Sequence, residues 1–271
     1  MERHASCGCK QSGHGQRDRQ PDDPELHPDV PHRGQPMRKL SRGFGLVEIM
    51  VALVLGLVVS LGIIQIFSAS RATYQSQNSA ARMQEDARFI LSKLIQEIRM
   101  TGMYGCLSFS NYTPASPAIP WPVALDTPIL WDNPNKTLTL VTTDVGTTGS
   151  TPTWTIVSDC QSTTNLYANS RAPAAGETAF PLRQLVYKLT GTNLTIQFGT
   201  GGDVQPLLQN VADFSVSFGM AGNPMSYTSA VTKANAGDVR SVRISLTLQD
   251  GQNGLVKSQQ YNVVAYLRNR F

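Results

Sequence analysis

The sequence predicts an α+β chain in which a long N-terminal helix, with a membrane half and an amphipathic half, packs on an antiparallel β-sheet head. Three observations carry that prediction. An almost unbroken apolar run extends from Phe44 to Phe67. A three-and-four-residue apolar repeat (Met83, Ala87, Ile90, Leu91, Leu94, Ile95, Ile98) follows it, with no Pro or Gly between Ser68 and Thr101. Beyond Gly105 the helical pattern gives way to short alternating segments bounded by Gly, Asn and Pro.

The chain of 271 residues divides into four parts. Residues 1–43 form a leader, 44–67 a membrane or bundle-core helix, 68–101 its amphipathic continuation and 102–271 a β-rich head outside the cytoplasm. Segment 1–36 differs from the rest: it holds all four histidines, Cys7, Cys9 and a Pro/Asp-rich stretch, without apolar periodicity. Such a composition predicts disorder. Met37 opens a basic stretch, so translation is expected to start there, with 1–36 an upstream extension. A soft-metal tail using Cys7, Cys9, His4 and His14 is the rival reading, although its spacing matches no zinc pattern.

The span Phe44–Phe67 has 24 residues, about 36 Å at 1.5 Å per residue and enough for a hydrocarbon core of about 30 Å. Arg38, Lys39 and Arg42 precede it, and only Arg71 lies comparably close on the far side. The positive-inside rule therefore predicts a single pass with a cytoplasmic N-terminus and a head outside. The run exceeds the apolar core of a cleaved secretory signal, and Ser68-Ala69-Ser70 is the alternative cleavage point. Glu48 is the anomaly: a carboxylate near the start of an apolar span is costly and needs a partner or a specific role.

The second half of the helix sets Gln84, Glu85, Arg88, Lys93, Gln96 and Glu97 opposite its apolar stripe. Gly102 and Gly105 are the first stop signals. Residues 111–135 carry six prolines and read as an extended surface loop. Strands are expected at Thr137–Thr142, Thr153–Val157, Gln184–Thr190, Asn193–Phe198, Asp213–Gly219, Val239–Leu248 and Val256–Leu267. Gly191-Thr192 turns one hairpin, and residues 250–254 turn the last.

Composition limits the function classes. Lys and Arg number 23 against 19 Asp and Glu, too even a balance to argue for nucleic acid. After residue 36 there is no histidine, which removes histidine-based triads and histidine metal sites from the mature chain. No phosphate-binding loop or dinucleotide fingerprint is present. Asp144, Asp159, Asp203 and Asp213 are candidate calcium ligands but form no EF-hand pattern. No enzymatic activity, cofactor or metal is expected. Two cysteines, Cys106 and Cys160, fall in the part expected outside the cytoplasm. There they predict one disulfide, with two separate buried thiols as the alternative.

The run Gly43-Phe44 with Glu48 four residues on, after a basic leader and before an apolar helix, resembles the class III leader of type IV pilins and pseudopilins. The resemblance implies that a prepilin peptidase cuts between Gly43 and Phe44 and that the new amine of Phe44 is methylated. The mature chain further resembles the PilW-type minor pilins, on Ile66-Phe67-Ser68 with Tyr74, Arg88-Phe89 to Met100, Gly102–Cys106, Asn210–Phe214, Val239–Leu248 and Leu267–Arg270. It implies a pilin-like fold and a minor pilin that takes part in type IV pilus assembly and enters the fibre. The partners implied are other minor pilins, the major pilin, the peptidase and an inner-membrane assembly platform. A minor pseudopilin of a type II secretion system is the alternative. A start at Met37 shortens the leader to residues 37–43, closer to the family's length.

The physical logic of the motif stands beside the resemblance. A glycine before the cut lets a peptidase approach the backbone closely. Cleavage frees an ammonium at Phe44, and Glu48 lies one helical turn on. Its carboxylate can pair with that ammonium, on its own chain or a neighbour's, and so set axial register and offset the burial of both charges. Small residues at 52, 56, 60 and 62 permit close helix packing.

Overall fold

The computed structural model describes residues 43–106, 112–114, 119–143, 151–251, 254 and 256–268. The leader to residue 42, with Cys7, Cys9 and the histidines, and also Asp144, lie outside the described residues. The chain divides between Gly56 and Leu57 into two units, each described by itself.

Helix α1 runs Leu46–Met100. In the first unit it is apolar all round except for Glu48, and every described side chain there is exposed. In the second unit the helix from Leu57 to Phe67 keeps that character; by Met83 the pattern has become amphipathic. Met83, Ala87, Ile90, Leu91, Leu94 and Ile98 are buried, and Ile95 packs half-buried beside them. The other face keeps Gln84, Glu85, Arg88 and Gln96 in solvent. The helix stops where Gly102 adopts φ +79°, a left-handed conformation that glycine takes without steric cost.

Twelve strands follow among the described residues: β1 (Tyr112–Pro114), β2 (Ile129–Asp132), β3 (Thr137–Thr143), β4 (Trp154–Ser158), β5 (Thr164–Ala168), β6 (Thr178–Thr190), β7 (Asn193–Phe198), β8 (Val204–Leu208), β9 (Val211–Met220), β10 (Ser226–Thr228), β11 (Val239–Leu248) and β12 (Gln259–Tyr266). They form two sheets rather than the single sheet expected. The first has the order β1-β5-β4-β6-β3-β2, with β7 on β6 and β8 on β7; the second is β10-β9-β11-β12. The head is antiparallel, as expected, apart from one short pair: β1 runs parallel to β5.

The length of β6 explains how one sheet holds eight strands. Leu182 pairs with Thr143 of β3 and Trp154 of β4, so these lie on opposite sides of β6. Leu185 pairs with Leu140 of β3 and Phe198 of β7. Strands β4 and β7 thus sit end to end along one side of β6. Gly199 closes the joint, donating its N–H to the carbonyl of Gln184, and Thr153 Oγ1 accepts from the Gln184 N–H.

Strand alternation then sorts the apolar residues into two cores. Leu138 and Leu140 of β3 and Leu185 and Tyr187 of β6 face α1. Val141 and Leu182, of opposite parity, face a second cluster with Tyr104, Leu125, Trp154, Ile156 and Leu166. The main core is closed by the second sheet, through Phe214, Val216 and Phe218 of β9 and Val242, Ile244 and Leu246 of β11. Each of these two strands carries one extra residue. The register slips at Ala212, so Val211 and Phe214 both turn inward, and at Arg240, so Val239 and Val242 do. Gly219 leaves room for its neighbours: a Cβ there would meet Ser241 Oγ and press on Met225 Sδ unless those side chains moved.

The Pro-rich segment corrects another expectation. It contains β1, the short helix α2 (Val123–Asp126) and β2, and it buries Leu125, Ile129 and Trp131. Two of its prolines stand at the borders of elements: Pro122 precedes α2, and Pro128 precedes β2 while its carbonyl accepts from Val141 N–H at 2.8 Å. Trp131 meets Phe214 edge to face at 5.4 Å, joining the two sheets.

Truncating the stripe should unfold the head preferentially. We expect Leu94→Ala, at a fully buried position, to lower stability by about 2–5 kcal/mol, read by denaturant unfolding of the detergent-solubilised chain. Phe89→Ala, at a position 60% exposed, should change it by less than about 0.5 kcal/mol.

Candidate functional site

The residues singled out in the sequence fall into two places. Gly43, Phe44 and Gly45 precede α1 and are not helical. Phe44 is 77% exposed, and a side chain added at Gly43 or Gly45 would meet nothing within 4 Å. The Gly43–Phe44 peptide bond is thus presented on non-helical, uncrowded backbone. The first intrahelical bond runs from Ile49 N–H to the Gly45 carbonyl, 3.2 Å long. Glu48 lies in the first turn of α1 and is exposed. There a carboxylate complements the partial positive charge of the helix N-terminus.

One detail differs from the helical reading of the motif. Phe44 lies two residues before Leu46, where the helix begins, so Phe44 and Glu48 do not yet share a helical face. Extending the helix by two residues would bring them onto one.

The second place is the far end of α1. Cys106 and Cys160 are joined by a disulfide with Cα atoms 5.4 Å apart. The bond fastens the segment after Gly105 to the turn between β4 and β5. Of the two readings of these cysteines, the structure carries the bonded one. A single carboxylate organises that turn. Asp159 accepts the N–H groups of Gln161, Ser162 and Thr163, each at 2.9 Å. Cys160 takes φ +57°, and its N–H donates to Ser158 Oγ. The three backbone donors hold the Asp159 carboxyl well below the usual carboxylate range. Its place is therefore in shaping the cystine turn. The local signal for that role is Asp159 followed closely by Ser162 and Thr163, a side chain that caps its own turn.

Asp213 pairs with Lys136 at 3.1 Å. Among the described residues no group of three His, Cys, Asp or Glu is placed to hold a metal ion. A polar cleft of about 440 Å³ lies beside α1, lined by Gln75, Arg82, Asp86, Asn210 and Asp250 among others. Its lining mixes amides and charges with the apolar Met83 and Leu248 and holds no imidazole.

Comparison with known proteins adds the following. The family model for the prokaryotic N-terminal methylation motif matches residues 38–64, the stretch that contains Gly43, Phe44 and Glu48. No curated protein sequence matches the chain. Among solved structures, the chain is similar to one from the binary complex of two pseudopilins of the Vibrio vulnificus type 2 secretion system. The identity is 13%, with 72% of this chain and 96% of that one covered and a TM-score of 0.40. It is also similar to a type IV-like pilin from Thermus thermophilus, at 11% identity, 70% and 99% coverage and a TM-score of 0.36. Both scores are low, and neither likeness bears on function.

Three outcomes test the cystine turn. Non-reducing mass spectrometry should find Cys106 linked to Cys160, and replacing both by Ala should cost up to about 4 kcal/mol of head stability, the chain-entropy value for so long a loop. Asp159→Asn should destabilise the head at neutral pH. Because folding depresses the Asp159 carboxyl, its contribution is complete above the ordinary value of 3.8 and is lost as pH falls through the lower folded value. Thermal melts of wild type and Asp159→Asn should therefore converge in acid.

Proposed function

We propose that this chain is a non-catalytic minor pilin of a type IV pilus. It is made as a precursor, cut between Gly43 and Phe44, methylated on Phe44 and assembled with other pilins through its apolar helix. The observation that supports this best is the coincidence of sequence and geometry at one place. The methylation motif over 38–64 brackets a Gly–Phe bond on exposed, non-helical backbone, directly before an apolar helix with Glu48 in its first turn.

The apolar helix has a consistent place in each state. Before assembly it spans the inner membrane, with basic residues on the cytoplasmic side and the head in the periplasm. The helix is long and apolar enough for that role. During assembly the same surface moves from lipid into a bundle of like helices, a change of neighbours without exposure to water. Glu48 then answers the Phe44 ammonium that cleavage creates. The head, with no histidine and a disulfide-braced fold, serves as a rigid body rather than a reactor.

Processing is tested directly. Gly43→Ala, or a bulkier residue there, should leave uncut precursor on a blot; normal maturation of that variant would sink the leader assignment. N-terminal sequencing by mass spectrometry of membrane-derived protein should begin at methylated Phe44. Glu48→Ala should still be cut but should reduce piliation, and unchanged piliation contradicts the register role. Deletion should abolish twitching; loss of exoprotein secretion instead would assign the chain to a type II secretion system.

A further inference from the structure

We infer that β12 is a strand-acceptor edge. It takes an extended segment of a different polypeptide, apolar at alternate positions and acidic at its N-terminal end. The inference is independent of the processing motif.

Exposed sheet edges pair with other chains unless something blunts them. The other edges described here are blunted. Strand β1 has three residues and ends in Pro114, and β2 has four and carries Asp132. Strand β8 contains Pro206, and its pairing with β7 is irregular; β10 has three residues. Strand β12 has none of these devices. Its eight residues, Gln-Gln-Tyr-Asn-Val-Val-Ala-Tyr, include no charge and no proline. Its register with β11 runs without a slip from Ser241↔Tyr266 to Leu248↔Gln259.

Its outward backbone groups can be named. The Leu267 N–H donates to the Arg240 carbonyl, so by antiparallel alternation residues 265, 263, 261 and 259 turn theirs toward β11. Gln260, Asn262, Val264 and Tyr266 turn theirs away. Among the described residues none of those four main-chain groups has a backbone partner.

Two further features choose the occupant. The inward side chains Tyr261, Val263 and Leu267 reach the main core but stay half-exposed. Beyond the C-terminal end of β12 lies a groove of about 730 Å³, lined by Ile95, Arg99, Met100, Met103 and Arg268 among others. An added strand would cover the half-exposed row, and its apolar side chains would enter that groove. Arg99 and Arg268 favour an acid there. The second sheet is antiparallel throughout, which puts the acid at the N-terminal end of the incoming strand. Charge also disfavours a second copy of this chain: antiparallel self-pairing brings Lys257 of one copy close to Arg268 of the other.

The test uses the full chain in detergent and a synthetic eight-residue peptide that begins with two aspartates and then alternates valine with threonine. Amide exchange is read residue by residue. We expect the peptide to slow exchange at Gln260, Asn262, Val264 and Tyr266 by roughly tenfold or more. Val264→Pro, which removes an outward N–H and no bond to β11, should keep the melting temperature and weaken peptide binding by roughly tenfold or more. Arg268→Glu should weaken it by roughly fivefold at low salt. A peptide with methylated backbone nitrogens should not protect the four amides, which keeps the test valid if Val264→Pro does not fold. Absence of protection at these amides, equal protection by the methylated peptide, or protection arising from dimers of this chain alone would each overturn the proposal.

Discussion

The head depends on the burial of one helical stripe. Met83, Ala87, Ile90, Leu91, Leu94 and Ile98 lie on one face of α1, and fully burying each large side chain contributes about 1.5–3 kcal/mol. Such a stripe is too broad for one sheet to cover. Strands β2, β3, β6, β7 and β8 of the first sheet share the core with it, and so do β9, β11 and β12 of the second. The irregularities of the second sheet follow from this demand. The extra residues at Ala212 and Arg240 re-aim the apolar side chains so that both ends of β9 and β11 still face the helix. A regular ladder would have turned Val211 or Phe214 to solvent.

The same helix poses the opposite problem toward its N-terminus. From Leu46 to Phe67 it is apolar on all sides, and its side chains are exposed. That surface is compatible with lipid or with other apolar helices and not with water. Within so uniform a surface, one carboxylate in the first turn is the feature with chemical meaning. We propose that it answers an amine that a cut at Gly43–Phe44 would create, and the motif and the apolar run are read together on that ground.

Covalent and polar fasteners hold the turns and loops of the head. The chain leaves α1 through Gly102 and Gly105, both with positive φ, and the Cys106–Cys160 bond ties it down at once. Asp159 shapes the turn that presents Cys160. Lys233 with Asp126 at 2.8 Å, and Trp121 donating to the same carboxylate, link the loop before β11 to α2. Exposed ion pairs of this kind contribute little stability singly; their effect is to fix the arrangement of loops around the two cores.

Much of this was legible in the sequence, because it is written in local periodicity. The apolar run, the stripe from Met83 to Ile98, the stop at Gly102 and the strands at 193–198 and 239–248 each follow from spacing within a few residues. The pairing of Cys106 with Cys160 followed from there being two such cysteines in the head. What the sequence could not show is what depends on distant partners. Pro122, Pro128, Pro181 and Pro206 concealed α2, β2, the first half of β6 and β8, since a proline reads as loop until its neighbours show which N–H groups the ladder can spare. The division into two sheets and the parallel β1–β5 pair were likewise decided by tertiary structure. Strand identity is a property of the residues themselves. Strand order arises only when all the strands compete for the same helix.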